Sequence, residues 1–344
     1  MLLDTEEISI RAPSLAPANR TQCPVRETYK RILLPLTYSL VFILGVALNG
    51  TLLWQIGYRS KNWSCSIIYL VNLAVADLLY VLSLPLLIVN YAMDDVWLFG
   101  NVACKAVRFF FYTNLHGSMM FLMCISVHRF LGVCFPMRSI GYRTRKLAIT
   151  ASAATWILVA IELLPTFVYA HTGFINNRTV CFDLTSPSNF GSYFPYGVAL
   201  TILGFLIPFL IICICYCSMI RTLWRPEENI TAGRKIRRKS IRTILVVCLL
   251  LLLCFVPFHI TRMIYLCVRV YLIKDCAILN VVMLSYKMWR PIVSCNSCIN
   301  PLLYFLSTDK GRNHLLGKIC KNKVHPSANN ENQTKEIDTI QEKI

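Results

Sequence analysis

Apolar residues in this chain do not alternate with polar ones. They gather into blocks about as long as a bilayer is thick, and the charges crowd between the blocks. A helix needs roughly 20 mostly apolar residues to cross a membrane. Seven segments meet that need: Ile32 to Tyr58, Cys65 to Met93, Val102 to Val127, Leu147 to Ala170, Tyr193 to Ile220, Thr243 to Val268 and Leu279 to Leu306. The first and fifth carry no charge; the seventh is the least obvious, because Lys287 and Arg290 sit inside it. Prolines within spans (Pro35, Pro85, Pro165, Pro208, Pro257, Pro301) are acceptable, since neighbouring helices re-satisfy the backbone groups that they free.

Composition sharpens the picture. Of 344 residues, 56% are hydrophobic and 15% charged, against about 25% charged in a soluble domain. That excludes a disordered chain, a disulfide-rich mini-protein and an ordinary cytosolic enzyme. The expected fold is an all-α membrane protein: a seven-helix bundle over 32–308, preceded by an extracellular tail (1–31) and followed by a short amphipathic helix (309–322) and a polar, disordered cytoplasmic tail (323–344). The first 31 residues lack the apolar core of a signal peptide and include Asp4, Glu6 and Glu7, so the first span is expected to direct insertion.

The net charge of +18 could suggest nucleic-acid binding, but its placement reads as membrane topology, with no nucleic-acid polymer as partner. Arg129, Arg138, Arg143, Arg145 and Lys146 follow span three, a denser basic run (Arg234 to Arg242) follows span five, and the loop after span two has Asp94 and Asp95 instead. The positive-inside rule then puts the N-terminus outside and the C-terminus inside. Asn19 and Asn177 head glycosylation tripeptides on the outer side; Asn62 and Asn229 head others that face the cytosol. Cys23, Cys104, Cys181 and Cys276 are outer cysteines suited to two bridges, with Cys267 close enough to the edge to unsettle the count. Cys320 is a candidate palmitoylation site, and Ser240, Ser327, Thr334 and Thr339 are weak phosphorylation candidates.

Ionisable groups within spans are expensive and usually functional. Asp77 lies deepest, and Ser118, Asn296 and Asn300 are placed to reach it. Two readings stay open: a sodium or proton site coupled to helix rearrangement, or a hydrogen-bonded knot that holds helices together. Arg108, Arg262, Lys287 and Arg290 fall in the outer thirds of spans three, six and seven. His259 precedes Arg262 by three residues, Lys287 precedes Arg290 by three, and Tyr286 and Arg290, like Arg108 and Tyr112, are four apart, so each pair shares a helix face. One such arginine would read as snorkelling to the headgroups. Four cations on three helices, with Asp183 and Asp275 as the main nearby acids, read as a site for a polyanion, because guanidinium forks match phosphate and tyrosines offer surfaces for a base or sugar. No phosphate loop, zinc spacing or nucleophile elbow points to an enzyme.

With the seven spans, ordered motifs give a resemblance over about residues 32 to 320 to the rhodopsin-like (class A) G-protein-coupled receptors. They are Gly45 with Asn49, Leu73 to Asp77, Cys104, Trp156, Pro208 with Tyr216, Cys254-Phe255-Val256-Pro257 and Asn300-Pro301-Leu302-Leu303-Tyr304. The acidic-arginine-aromatic triplet of that family reads His128-Arg129-Phe130 here, so the resemblance implies a weaker resting restraint on Arg129 and higher basal activity; Phe255 stands where a tryptophan is usual. His259-Ile260-Thr261-Arg262, Tyr286-Lys287-Met288-Trp289-Arg290, Phe111 to Gly117, Asn177 to Leu184 and the extra cysteine pair are similar to the metabotropic nucleotide purinoceptors, and Lys287 to their uridine-nucleotide-preferring members.

The resemblance implies a plasma-membrane receptor for an extracellular nucleotide, UDP or UTP and then ADP, that signals mainly through Gq to phospholipase C and calcium. It implies phosphate contacts from Arg108, Arg262, Lys287 and Arg290, with Tyr112, His116, His259 and Tyr286 near sugar and base. It further implies bridges Cys104–Cys181 and Cys23–Cys276 and a G-protein groove at Arg129, Tyr216 and Tyr304; no cofactor is expected beyond the sodium ion that one reading of Asp77, Ser118, Asn296 and Asn300 allows. Arrestin, receptor kinases and membrane lipid are the further partners, and the basic third inner loop reads as a topology signal and lipid-facing patch or as a G-protein contact. The alternatives are the same fold with another anionic ligand (a dicarboxylate, leukotriene or lysophospholipid) and, further off, a transporter, against which stand the lack of repeated spans and of paired broken helices.

Overall fold

The computed structural model describes residues 30–59, 63–139, 141–175, 178–186, 188–224, 241, 244–271 and 276–307. The expectations for Asn19, Asn62, Asn177, Asn229, Cys23, Asp275, Ser240, the basic loop after span five, Cys320, the helix over 309–322 and both tails fall outside these residues, as does the side chain of Cys276.

Six long apolar helices run over Arg31–Tyr58, Cys65–Ala92, Gly100–Cys134, Arg145–Tyr169, Phe190–Thr222 and Ile244–Tyr271. The seventh span is built from two helices, Cys276–Ser294 and Asn296–Ser307, meeting at Cys295. The packing explains why apolar residues surround each helix. In span one Leu34, Tyr38, Val41, Leu52 and Ile56 are buried, whereas Ile32, Leu36, Leu40, Ile43 and Trp54 stay exposed. A helix apolar on every side satisfies one face with neighbours and the other with lipid. Span three is the central post: Phe111 to Leu122 are buried without interruption.

Prolines set the breaks. A proline lacks a backbone donor and its ring crowds the carbonyl four residues earlier. Pro208 and Pro257 are preceded by wide π-helical turns at Ile202–Leu206 and Leu251–Phe255, which relieve that clash. In span seven Pro301 leaves the Ser297 carbonyl without its helical donor, and the Asn49 amide of span one supplies one at 2.8 Å. Asn49 also donates to Gly45 O at 3.0 Å, which gives that motif a physical task.

One feature departs from an all-helical chain. The second outer loop forms an antiparallel hairpin, β1 (Thr172–Ile175) with β2 (Arg178–Cys181), in which Thr172 pairs with Cys181 and Ile175 with Arg178. The Cys104–Cys181 disulfide ties β2 to the outer end of span three, with Cα atoms 5.6 Å apart. Trp97 N–H donates to Thr179 O at 2.8 Å and holds the hairpin against the first outer loop.

Candidate functional site

Under the hairpin lies an outward-facing cavity of about 700 Å³ between spans one, two, three, five, six and seven. Arg108, Tyr286, Lys287 and Arg290 line it. Arg108 is 3% exposed and is positioned by the loop backbone: Nε donates to Phe182 O at 3.2 Å and Nη2 to Cys181 O at 3.1 Å. The disulfide next to those carbonyls therefore orients this guanidinium. Arg290 donates through Nη1 to the Tyr91 hydroxyl at 3.4 Å and its guanidinium lies 5.0 Å from the Phe111 ring centre.

Asp183, just beyond β2, reaches down between the two arginines. Its Oδ1 is 3.1 Å from Arg108 Nη1 and 2.8 Å from Arg290 Nη1. Burial pushes the Asp183 carboxyl upward, but the Arg290 and Arg108 guanidiniums outweigh this and hold it below the usual carboxylate range. Both contacts fall on one oxygen, and neither is aligned as a hydrogen bond. Arg108 Nη1, Arg290 Nε and Arg290 Nη2 are buried and lack hydrogen-bond partners among the described residues. The pairing is Coulombic without the fork-to-fork match that makes arginine–carboxylate pairs strong.

The other four residues expected at the ligand form a deeper layer and do not line this cavity. Arg262, 0% exposed, donates to Thr201 Oγ1 and to the Tyr193 hydroxyl, both at 3.0 Å, and lies over the Tyr112 ring at 5.5 Å. His259 stacks on Phe205 with ring centres 4.1 Å apart and meets His116 edge-on at 6.3 Å. Tyr286 joins the layers: it lines the cavity, stacks parallel on Tyr265 at 5.2 Å and lies 5.8 Å from Phe258.

Deeper still, Asp77 is fully buried. Its Oδ1 accepts from Asn114 at 2.6 Å and from Asn300 at 3.1 Å, and its Oδ2 from Asn300 at 3.0 Å. Asn300 also lies 3.5 Å from Ser118 Oγ. Asn296 does not touch the carboxylate; Ser297 links it, at 3.2 Å, to Asn114, at 3.4 Å. The carboxylate and oxygen-bearing side chains around it are the hard donors that a sodium ion takes.

The family described as 7 transmembrane receptor (rhodopsin family) matches residues 48–304. Purinoceptor 3 of Meleagris gallopavo, of the metabotropic Y type, is 47% identical over 313 residues, covering 90% of this chain and 95% of that protein. Purinoceptor 6 of Rattus norvegicus, of the same type, is 43% identical over 312 residues (90% and 94%), and purinoceptor 4 of that species 43% over 321 (92% and 88%). The chain belongs to the metabotropic purinoceptors. As a receptor of this family it is a multi-pass protein of the plasma membrane with its N-terminus outside.

At the cytoplasmic end of this receptor Arg129 Nε lacks a hydrogen-bond partner among the described residues. Ser126, less than one turn away, donates to the Tyr216 hydroxyl at 2.8 Å, which brings span five to the arginine's level. Tyr304 is buried. His128, in the acid's place, lies 3.4 Å from Arg143 Nη2 of the second inner loop. Sequence reasoning missed several lining residues: Tyr38, Tyr91, Arg178 and Arg269. Arg269 carried a signal, since it follows Arg262 by two helical turns and so shares its face. Arg178 was hidden inside a glycosylation tripeptide, and the two tyrosines inside ordinary apolar spans.

Proposed function

We propose that this receptor binds a uridine di- or triphosphate from the extracellular space in the cavity under the hairpin, and passes the signal through Gq to phospholipase C and calcium. One observation carries the reading: guanidiniums from spans three and seven converge on a single carboxylate oxygen and keep buried donors to spare. A phosphate chain offers several oxygens where Asp183 offers one, so it replaces a poorly matched partner with a bidentate one. Five basic and three acidic residues line the cavity, which favours an anionic guest. The names of the three relatives given above, each a purinoceptor, support the same ligand class.

In this reading Arg108, Lys287 and Arg290 take the phosphates and Tyr286 flanks the sugar or base. Arg262, Tyr112, His116 and His259 act from below, through the Tyr286 wall and the field of Arg262, or on a ligand that penetrates past Tyr286. Phosphates bridging spans three and seven draw their outer ends together, and only differential affinity for that closed arrangement drives activation. Pro257 and Pro301 supply the bends, and the inner end of span six swings from Arg129, Tyr216 and Tyr304 to admit a G-protein helix. Asp77, with Ser118, Asn296 and Asn300, is the sodium-sensitive switch between them. Arrestin and receptor kinases act on the same inner face. Asn19 and Asn177 carry glycans, and Cys23 and Cys276 form the second outer bridge.

The test is a calcium assay in cells without nucleotide receptors of their own, comparing UDP, UTP, ADP and ATP with succinate, a cysteinyl leukotriene and a lysophospholipid. Response to the uridine nucleotides at the lowest concentrations is expected. A response confined to a dicarboxylate or a lipid overturns the ligand while keeping the fold.

A further inference from the structure

The outer halves of spans three to six enclose a carboxyl, Glu162, for which the nucleotide reading has no use, facing His116. Glu162 lies in span four, about two turns below its outer end at Tyr169. Its side chain is 11% exposed, and its Oε2 lies 3.7 Å from Nδ1 of His116, which is 0% exposed. Oε2 and both imidazole nitrogens are buried without a hydrogen-bond partner among the described residues. Buried polar atoms are almost always paired, so the two orphans that face each other, Oε2 and Nδ1, call for a bridging ligand.

The surroundings narrow what that ligand is. From span three, Tyr112 lies against His116 with ring centres 6.2 Å apart. From span six come His259 and Arg262, the latter committed to Tyr193 and Thr201. From span five, Tyr196 donates to the Glu162 backbone oxygen at 3.0 Å and meets Thr166 Oγ1 at 2.9 Å. The backbone at Gly204 presses so close that a methyl group there would overlap the His116 ring. Ring and carboxyl are thus held side by side, and a proton is the smallest guest that pairs them. An ionised carboxylate with no hydrogen bond is costly in such a layer, whereas a protonated one needs only a small rotation to donate O–H···N to His116.

We infer that Glu162 and His116 form an extracellular proton-binding site. The step is a proton transfer: a hydronium ion of the outer aqueous phase gives up one proton and leaves as water, the new O–H bond forms at Oε2 and donates to Nδ1, His116 keeps its own proton on Nε2, and the pair goes from one negative charge to none. The Thr166 and Tyr196 hydroxyls lie beside Glu162 on the way to the outer surface. Uptake removes a negative charge from the layer that holds Arg262, so acidification makes the field beneath the cavity more positive and strengthens polyanion binding. A site that holds its proton more tightly folded than unfolded stabilises the fold at low pH, and that stability is lost as pH rises through the folded-state value.

The test uses the full-length receptor in nanodiscs without nucleotide, melted at pH values from about 5.5 to about 8. The unsubstituted receptor is expected to melt lower as pH rises. Glu162→Gln, which mimics the protonated carboxyl, is expected to show a flat profile. Glu162→Leu, equally unable to titrate, serves if the first variant fails to reach the membrane. Equal slopes in variant and unsubstituted receptor overturn the proposal. A second arm, which rests on the nucleotide reading, compares UDP potency at pH near 7.5 and near 6: the unsubstituted receptor should gain roughly threefold to tenfold relative to Glu162→Gln, a comparison that cancels titration of the nucleotide itself. A pH-dependent melt without any nucleotide response would sink the ligand reading and leave the proton site standing.

Discussion

Two buried clusters of opposite sign divide this receptor. Around Asp77 the charge is met: both carboxylate oxygens accept from asparagine amides of spans three and seven, and the buried atoms left without a partner among the described residues, Asn296 Nδ2 and Asn300 Oδ1, are neutral. Beneath the hairpin it does not: two guanidiniums share one oxygen of Asp183 and hold buried donors in reserve. Both clusters join separate helices, but a carboxylate already met by amides holds its helices together, while under-paired guanidiniums profit from a guest. Charge in a span therefore says little by itself; whether the charged groups keep unmet hydrogen bonds tells a brace from a receptacle.

The largest effect should come from the receptacle. Arg290→Ala and Arg108→Ala each remove a charge-assisted contact of roughly 1.5 to 3 kcal/mol, so the half-maximal nucleotide concentration should rise about tenfold to a hundredfold. Dose–response curves at matched surface expression read this out. Arg262→Ala should raise it less, because Arg262 lies below the cavity; an equal or larger rise would show that ligand penetrates past Tyr286. Unchanged potency in all three variants would erase the contrast between the clusters.

The brace should answer in stability instead. Asp77→Ala strands the amides of Asn114 and Asn300, costs roughly 1 to 3 kcal/mol, and should lower the melting temperature of the purified receptor and abolish any sodium dependence of its signalling. Asp77→Asn, which keeps the shape, should do less to the melt and as much to the sodium dependence.

Asp183→Asn sharpens the comparison from the lid. Removing a competitor for the arginines should raise nucleotide potency roughly threefold to tenfold; a fall would mean that Asp183 orients the arginines for the guest. Its lowered carboxyl value also fixes a pH expectation. A depressed carboxyl contributes stability above its unfolded value and loses it as pH falls through the folded one, so this pairing stays constant across neutral pH. Any pH slope between about 6 and 8 must then arise elsewhere. The smallest effect is expected at the cytoplasmic end: His128→Asp sets an acid beside Arg129 and should lower agonist-free signalling by about twofold to fivefold, the range of a partly exposed ion pair.

Much of this fold was legible in the sequence, for physical reasons that also mark where legibility stopped. Apolar length exposed seven spans, the seventh least clearly, because Lys287 and Arg290 inside it are residues that face the cavity. Helical spacing put Tyr286 and Arg290 on one face and set His116 two turns below Arg108. It carried no information on how the loop between spans four and five folds back. Neither the hairpin nor the pairing of Asp183 with two arginines that lie 75 and 107 positions away in the chain could be read from it. Asn114 and Ser297 were missed around Asp77 because an amide or hydroxyl in a span is common, and only the packing of span three against span seven makes these two significant.

The Asn49 amide bound to the Ser297 carbonyl has a mechanical meaning. Pro301 would otherwise leave that oxygen stranded wherever the chain flexed, but a side chain from span one follows it. The bend above Tyr304 is therefore hung from span one by a side chain, as a gate hangs on a pin: the oxygen that the proline frees becomes the point of attachment to the frame.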